Sequence, residues 1–287
     1  MLLGKTGLMC LIVFVVNFIL KLLYLSAQPL SGDEPFSVYM SQMNVGAITE
    51  QLFSGNNPPL YELILHYWVE CFGIDAFSVR ILSVLASSLT AVFIYKIGKR
   101  FFNNQVVIVA SFLFLFSNYH IFFSHEARCY SFFALLTVVS FYCFLKIVFN
   151  HPGKLDIVYY ILANTLMMYL HYFAAWVLVS QAIAAFLIFF IYRNKIKVLI
   201  WANMIVVVLL TPLLYILLQK IHGNNNWADS WVQKVTGIEP LYNNIWSFSN
   251  KPLNAVTSLI ILAIFIVLAL IKKRIISKEG SFLKKGL

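Results

Sequence analysis

The sequence predicts an all-α polytopic membrane protein, with about eight transmembrane helices and one juxtamembrane amphipathic helix on the outer face. Three observations carry that prediction. Of 287 residues, 61% are hydrophobic and 11% are charged, against about 25% charged in an ordinary globular chain. The mean hydropathy is +0.83. A water-soluble domain of this length cannot hide so much apolar surface, and its outside needs more charge. A soluble enzyme, a disordered chain and a disulfide-stapled secreted module are thereby excluded. The third observation is where the charges lie. The net charge is +10, but the basic residues form short clusters between apolar runs, as the positive-inside rule requires. They are not gathered into a surface for nucleic acid.

Spanning stretches fall at about 7–25, 80–97, 105–118, 130–147, 157–171, 174–192, 198–218 and 253–271. Several are shorter than the roughly 20 residues that cross about 30 Å of hydrocarbon, so their edges are soft. The first run resembles a signal peptide. Leu22 to Gln28 offers no small-x-small cleavage site, so the run reads as a retained first span. Cys10, Cys71, Cys129 and Cys143 show no metal-finger spacing.

Leu60 to Phe72 decides the topology. Glu62, His66 and Glu70 are spaced four apart, so a helix stacks them on one face. Leu60, Leu63, Ile64, Tyr67, Trp68 and Cys71 cover the other side. Such a helix lies in the interface better than it crosses. With the N-terminus inside and this helix not crossing, 15 of the 21 basic residues fall inside and 9 of the 11 acids outside. If it crossed, Lys96 to Arg100 and Arg193 to Lys197 would face outward, against the rule. The chain reads as one membrane domain over 1–287, with a core at 1–197 and, at 198–287, an aromatic outer loop (Trp227, Trp231, Lys234, Tyr242, Trp246) and the last spans.

This topology gathers the polar motifs at the outer surface. Ser31-Gly32-Asp33-Glu34-Pro35-Phe36 follows the first span. Gly32 allows a tight backbone approach, and Pro35 suits the start of a short helix that fixes two carboxylates at its N-terminus. A carboxylate there can act as a general base for a hydroxyl; the motif alone equally fits a helix cap with solvated charges. Gly55-Asn56-Asn57-Pro58-Pro59-Leu60-Tyr61 stiffens the chain and starts the amphipathic helix. The stretch from Ser117 to Tyr130 holds His125, Glu126 and Arg128. Ionisable groups near membrane depth are costly and are usually functional or paired. Arg128 can hold a phosphate through its fork of donors, with Glu126 bracing it or touching a sugar hydroxyl; a structural Glu126–Arg128 contact is the plainer reading. His171 between apolar spans fits a packing residue as well as a ligand. Glu62, His66 and Glu70 are chemically admissible ligands for a divalent metal, but amphipathicity already accounts for them, so no metal site is assigned.

Taken in order, these pieces resemble the GT-C superfamily of membrane glycosyltransferases, in the branch of protein O-mannosyltransferases and lipid A aminoarabinose transferases. The resemblance rests on Gly32-Asp33-Glu34-Pro35, Asn57-Pro58-Pro59-Leu60-Tyr61, Phe77-Ser78-Val79-Arg80, Gly98-Lys99-Arg100-Phe101-Phe102, the run from Ser117 to Tyr130 and Tyr169-Leu170-His171-Tyr172. It covers about residues 8 to 180.

The resemblance implies a polyprenyl-phosphate-linked sugar donor, a lipid, glycan or protein acceptor, and transfer on the extracytoplasmic side of a bacterial inner membrane. Asp33 matches the catalytic acid, with Glu34 beside it. Arg128, His125 and Asn57 would bind the donor phosphate, and Glu126, Tyr61, His66 and His171 the substrates. Asn57 stands where the family commonly has histidine or lysine; it can donate hydrogen bonds but brings no charge. The family usually continues into further spans and an outer domain, a part this sequence does not hold. No cofactor is implied beyond the divalent metal already weighed. Two other functions fit a membrane chain. A flippase for a lipid-linked substrate would prefer inverted repeats and mid-span charges. An inactive or split subunit of a transferase would share the motifs without turnover.

Overall fold

The computed structural model describes residues 4–55, 57–150, 152–188 and 193–222. Among these the secondary structure is helical, with no strand: α1 (Lys5–Leu22), α2 (Glu34–Ser41), α3 (Val45–Ser54), α4 (Leu60–Phe72), α5 (Ala76–Phe101), α6 (Asn104–Leu115), α7 (Asn118–Ser124), α8 (Tyr130–Phe149), α9 (Lys154–Leu170), α10 (Ala174–Ile188), α11 (Arg193–Leu209) and α12 (Thr211–His222). Three of them, α1, α5 and α8, are long and apolar enough to cross a membrane. The count rises to five if α6 with α7, and α11 with α12, are each one span bent by 54°. The predicted eight is therefore not reached by length and composition: α9 and α10 are shorter, and the segment 253–271 and the aromatic outer loop lie outside the described residues.

Helix α5 is the central post. Its side chains are small and polar along much of its length: Ser83, Ser87, Ser88 and Thr90 are buried with Ala86 and Ala91. Small residues let helix backbones approach where lipid offers no hydrophobic drive to associate. Helices α1, α6 and α8 pack on α5, and α9, α10 and α11 pack on α8 or on one another beyond it. Asp75 caps α5 by accepting from the N–H groups of Phe77 and Ser78, both at 3.1 Å. This cap starts the helix at Ala76, ahead of the predicted edge near residue 80, and so sets Arg80 inside the helix.

At the predicted outer end, α2, α3 and α4 form a layer that α5 supports. Pro35 lies in the first turn of α2, with Asp33 at the N-cap. Gly32 sits in the left-handed region at φ 58°, which costs glycine nothing. The buried stripe of α4 is Tyr61, Glu62, Leu65 and Val69. This reorients the predicted amphipathic helix. Its Glu62, expected on the polar face, points into the protein, while Tyr67 and Cys71 of the apolar face are exposed. A buried acid needs a partner, and the cation it faces, Arg128, comes from a distant part of the chain, which periodicity does not reveal. Tyr61, Leu65 and Val69 pack with Val38, Val79, Leu82, Ala127, Cys129 and Leu170 into one core. That core ties α2, α4 and α5 to the α7–α8 connection and the end of α9. All four cysteines are free thiols.

At the other end, Lys146 Nζ donates to Asp156 Oδ1 at 2.5 Å and Arg100 Nη2 to Asn150 Oδ1 at 3.3 Å, joining the ends of α5, α8 and α9. Between the ends, Ser140, Asn164 and Gln181 form a buried network. Ser140 Oγ donates to Asn164 Oδ1 at 2.7 Å, and Gln181 Nε2 donates to Ser140 Oγ at 2.7 Å. Interhelical polar contacts of this kind hold α8, α9 and α10 together in an apolar medium.

Candidate active site

Two buried ion pairs form the site. The first is Glu34 with Arg80. Glu34, 2% exposed, accepts from Arg80 Nε at 2.8 Å and Nη2 at 2.6 Å. It also accepts from the backbone N–H of Ala127 at 2.9 Å and of Ser31 at 3.0 Å. Arg80 gives its remaining donors to the carbonyls of Leu25 (2.9 Å), Gln28 (2.8 Å) and Pro29 (3.0 Å). Burial pushes the Glu34 carboxyl up. The Arg80 hydrogen bonds, the Ala127 and Ser31 amides and the Arg80 charge outweigh burial and hold it below its ordinary range. One carboxylate thus joins the α1–α2 connection, α5 and the α7–α8 connection. Its neighbour in sequence is Asp33; the neighbour of the amide it holds is Arg128.

The second pair is built on Arg128. Nη1 donates to Ser37 Oγ at 2.7 Å and lies 3.7 Å from Glu62 Oε1. Ser37 Oγ donates to the same Glu62 oxygen at 2.9 Å. Burial raises the Glu62 carboxyl above its ordinary range, against the opposing pull of the Ser37 hydroxyl and the Arg128 charge. On its other side, Arg128 Nη2 lies 3.8 Å from Asp33 Oδ2, and the Asp33 side chain is 71% exposed. Nε of Arg128 is buried with no hydrogen-bond partner among the described residues. In a guanidinium, Nε–H and Nη2–H run parallel along one edge; Arg80 fills that edge with Glu34. Among the described residues, the protein meets the same edge of Arg128 only at the long Asp33 contact.

The remaining predicted residues divide. His125 Nε2 lies 2.8 Å from the Lys21 carbonyl, an acceptor that makes Nε2 the protonated nitrogen. Burial lowers the His125 pKa, with that hydrogen bond opposing. Glu126 makes no ion pair with Arg128 among the described residues, whose acidic neighbours are Asp33 and Glu62. The Glu126 carbonyl instead accepts from Ser83 Oγ at 2.6 Å. Burial, and then the Glu34 charge, raises the Glu126 carboxyl. Tyr61 is buried, its ring edge-on to Phe132 at 5.9 Å. His66 Nδ1 lies 2.8 Å from the Ser41 carbonyl. Asn57 stands half-buried ahead of α4, without a hydrogen bond to Asp33 or Arg128 among the described residues. Glu34 and His66 are thus engaged by the protein itself, and the Tyr61 hydroxyl is buried without a hydrogen-bond partner among the described residues, whereas Asp33 is exposed and Arg128 keeps a buried, unpaired Nε. Among the described residues no group of three histidines, cysteines or acids is placed to hold a metal ion: Glu62 turns to Ser37 and His66 Nδ1 to Ser41, while exposed Glu70 lies 3.7 Å from His66 Nε2.

His171, in the connection between α9 and α10, accepts at Nδ1 from the Phe173 N–H at 3.1 Å. Burial lowers its pKa, and the nearby Arg128 charge adds to that effect.

Three residues outside the sequence-based site belong to its frame. Arg80 and Ser37 hold the two carboxylates. Lys21, fully buried in α1, donates from Nζ to Ser87 Oγ at 2.5 Å and lies 4.5 Å from the Phe114 ring centroid. The signal for Arg80 and Lys21 was present: a cation inside an apolar run demands a partner. Ser37 gave none, because a serine in a short helix is unremarkable until its neighbours are known.

Neither a curated protein nor a solved structure matches the chain. The family model for dolichyl-phosphate-mannose-protein mannosyltransferase matches residues 56–216, more than half of the sequence. The matched stretch takes in α4 to α11 and with them Glu62, Arg80, Arg128 and His171. The helical membrane fold, the buried ion-pair cluster and this match lead to one conclusion: the chain belongs to the dolichyl-phosphate-mannose-protein mannosyltransferase family, membrane glycosyltransferases of the GT-C type.

Proposed function

We propose that the protein transfers a sugar from a polyprenyl-phosphate donor to an acceptor hydroxyl on the extracytoplasmic face of a bacterial inner membrane, with inversion at the anomeric carbon. The observation that carries the reading is the pairing of an exposed carboxylate, Asp33, with an arginine 3.8 Å away whose buried Nε has no partner among the described residues. The donor phosphate takes the Nε/Nη2 edge of Arg128, as the Glu34 carboxylate takes the same edge of Arg80. Asp33 receives the acceptor's hydroxyl proton. The acceptor oxygen bonds to the anomeric carbon as the carbon–phosphate-oxygen bond breaks, and the electron pair leaves on the phosphate. A phosphate leaving group needs a cation rather than a proton donor, and Arg128 supplies it. Attack from the face opposite the phosphate inverts the centre, as in inverting glycoside hydrolysis with an alcohol in place of water. Glu62 and Ser37 keep the guanidinium in place, and Glu34 with Arg80 fixes the chain on either side of the two reactive groups.

About eight spans with both ends inside remain the topology we favour, because it puts these groups on the side where a translocated lipid-linked donor is found. The acceptor is a lipid, a glycan or a protein. The test is direct. The purified protein in lipid nanodiscs is given short polyprenyl phosphates bearing mannose, glucose or aminoarabinose, with membrane extract as acceptor. Release of free polyprenyl phosphate together with a glycosylated product is expected from at least one donor. Intact donors throughout would remove the reading in favour of a flippase or an inactive subunit.

A further inference from the structure

The connection after α9 holds one more group whose state the geometry fixes. His171 Nδ1 accepts the Phe173 backbone N–H at 3.1 Å. A nitrogen that accepts cannot carry the proton in a neutral imidazole, so the proton resides on Nε2. Nε2 has no hydrogen-bond partner among the described residues. The ring is half-buried and surrounded by aromatic neighbours: Phe173 at 4.8 Å, Phe133 at 5.9 Å and Tyr130 at 6.2 Å between centroids. Packing sets it beside the site. Leu170, the residue before it, is in the core with Ala127 and Cys129, which flank Arg128. Tyr130, whose ring faces it, stands two residues after Arg128 in the chain, and the Arg128 charge adds to burial in lowering the His171 pKa. A cation there disfavours a second positive charge on the ring.

An uncharged donor next to aromatic rings, beside a phosphate seat, matches one kind of ligand. Sugars offer hydroxyl oxygens to single donors and C–H faces to rings. A second phosphate would want charge, and a prenyl tail would want no donor. We infer that His171 reads the donor sugar, giving its Nε2 hydrogen to a hydroxyl oxygen of the pyranose whose phosphate is held by Arg128. The inference rests on the proposed function and adds to it the residue that distinguishes a glycosylated lipid phosphate from a bare one.

Two substitutions separate this role from a purely local one. In His171→Gln the side-chain amide reaches the place of Nε2 and keeps a donor there. In His171→Asn the shorter amide reaches the place of Nδ1, so it can keep the bond to Phe173 but loses the outward donor. Both are made in an Asp33→Asn background, which holds the donor without turnover. Affinity is measured for the best-bound of the mannosyl, glucosyl and aminoarabinosyl short polyprenyl phosphates, and for the same lipid phosphate without sugar. His171→Asn is expected to bind the glycosylated lipid about tenfold more weakly, the scale of one lost hydrogen bond, and the bare lipid phosphate unchanged. His171→Gln is expected to stay within about threefold for both, keeping most of that bond. If asparagine binds like the parent and glutamine does not, the residue only caps its own turn and the inference is overturned. Equal weakening of the two lipids by asparagine overturns it as well. A parent that binds both lipids equally makes no contact to the sugar and overturns the inference too, whereas a parent that binds neither removes the donor site itself, which is a different failure from one seen only in the His171 variants.

Discussion

Asp33→Asn is expected to lower sugar transfer by a factor of about 10² to 10⁴, the usual worth of a positioned general base, and to leave folding and insertion intact. The carboxylate is 71% exposed, and its one ionic contact among the described residues is the 3.8 Å approach to Arg128. Exposed substitutions away from packed groups typically change stability by no more than about 0.5 kcal/mol. Asparagine has the same shape and still offers an oxygen to Arg128, but it cannot take the acceptor's proton. The measurement is initial transfer rate against the unfolding midpoint in the same detergent. A variant that keeps most of its rate would assign the base to another group. A variant that loses rate and midpoint together would make Asp33 a structural residue.

The second large effect is on stability. Arg80→Leu strands a buried, ionised Glu34 and leaves the carbonyls of Leu25, Gln28 and Pro29 without the donors they now have. Removing one partner of a buried ion pair costs about 3–5 kcal/mol, because the other charge stays behind. The double variant Glu34→Leu with Arg80→Leu removes both charges and is expected to recover much of that loss. Its transfer rate is expected to remain low, because nothing then joins the Ser31 and Ala127 amides on either side of the reactive pair. Acid provides an independent reading of the same contact. The Glu34 carboxyl is held below its ordinary range in the folded protein, so its contribution is complete above the unfolded value of about 4.3. It is lost as the pH falls through the lower folded value. The wild type should therefore lose stability in that acidic window, and the double variant should lose less. An Arg80→Leu midpoint equal to wild type would show that the hub bears little of the fold.

Much of the architecture was legible because lipid imposes simple requirements. Seven of the predicted apolar stretches fall on α1 and on α5 to α12, since a long apolar run can satisfy its backbone in lipid only as a helix. The sequence locates the helix over Leu60 to Phe72 to the residue, starting after the paired prolines and capped by Gly73. Its orientation was not legible. Spacing four apart places Glu62, His66 and Glu70 on a common side, but says nothing about which way that side turns. Arg128, sixty-six positions later in the chain, decides that Glu62 is buried. The site shows the same division. The family resemblance singles out Asp33, residue type and position single out Arg128, and the structure brings them to 3.8 Å. The division of labour between Asp33 and Glu34 was hidden, because two adjacent carboxylates look alike until one is found beneath Arg80 and the other in the open. Short helices such as α3 and α7 carried no apolar period long enough to notice.

The account depends above all on one arginine edge receiving a phosphate beside a free carboxylate. The most direct measurement compares the affinity of the protein for a short polyprenyl phosphate in three forms: wild type, Asp33→Asn and Arg128→Gln. Loss of a charge-assisted, two-pronged contact is expected to weaken binding by Arg128→Gln about tenfold or more, while Asp33→Asn binds as tightly as wild type or more tightly, having lost a neighbouring negative charge. Equal binding by wild type and Arg128→Gln would contradict the account.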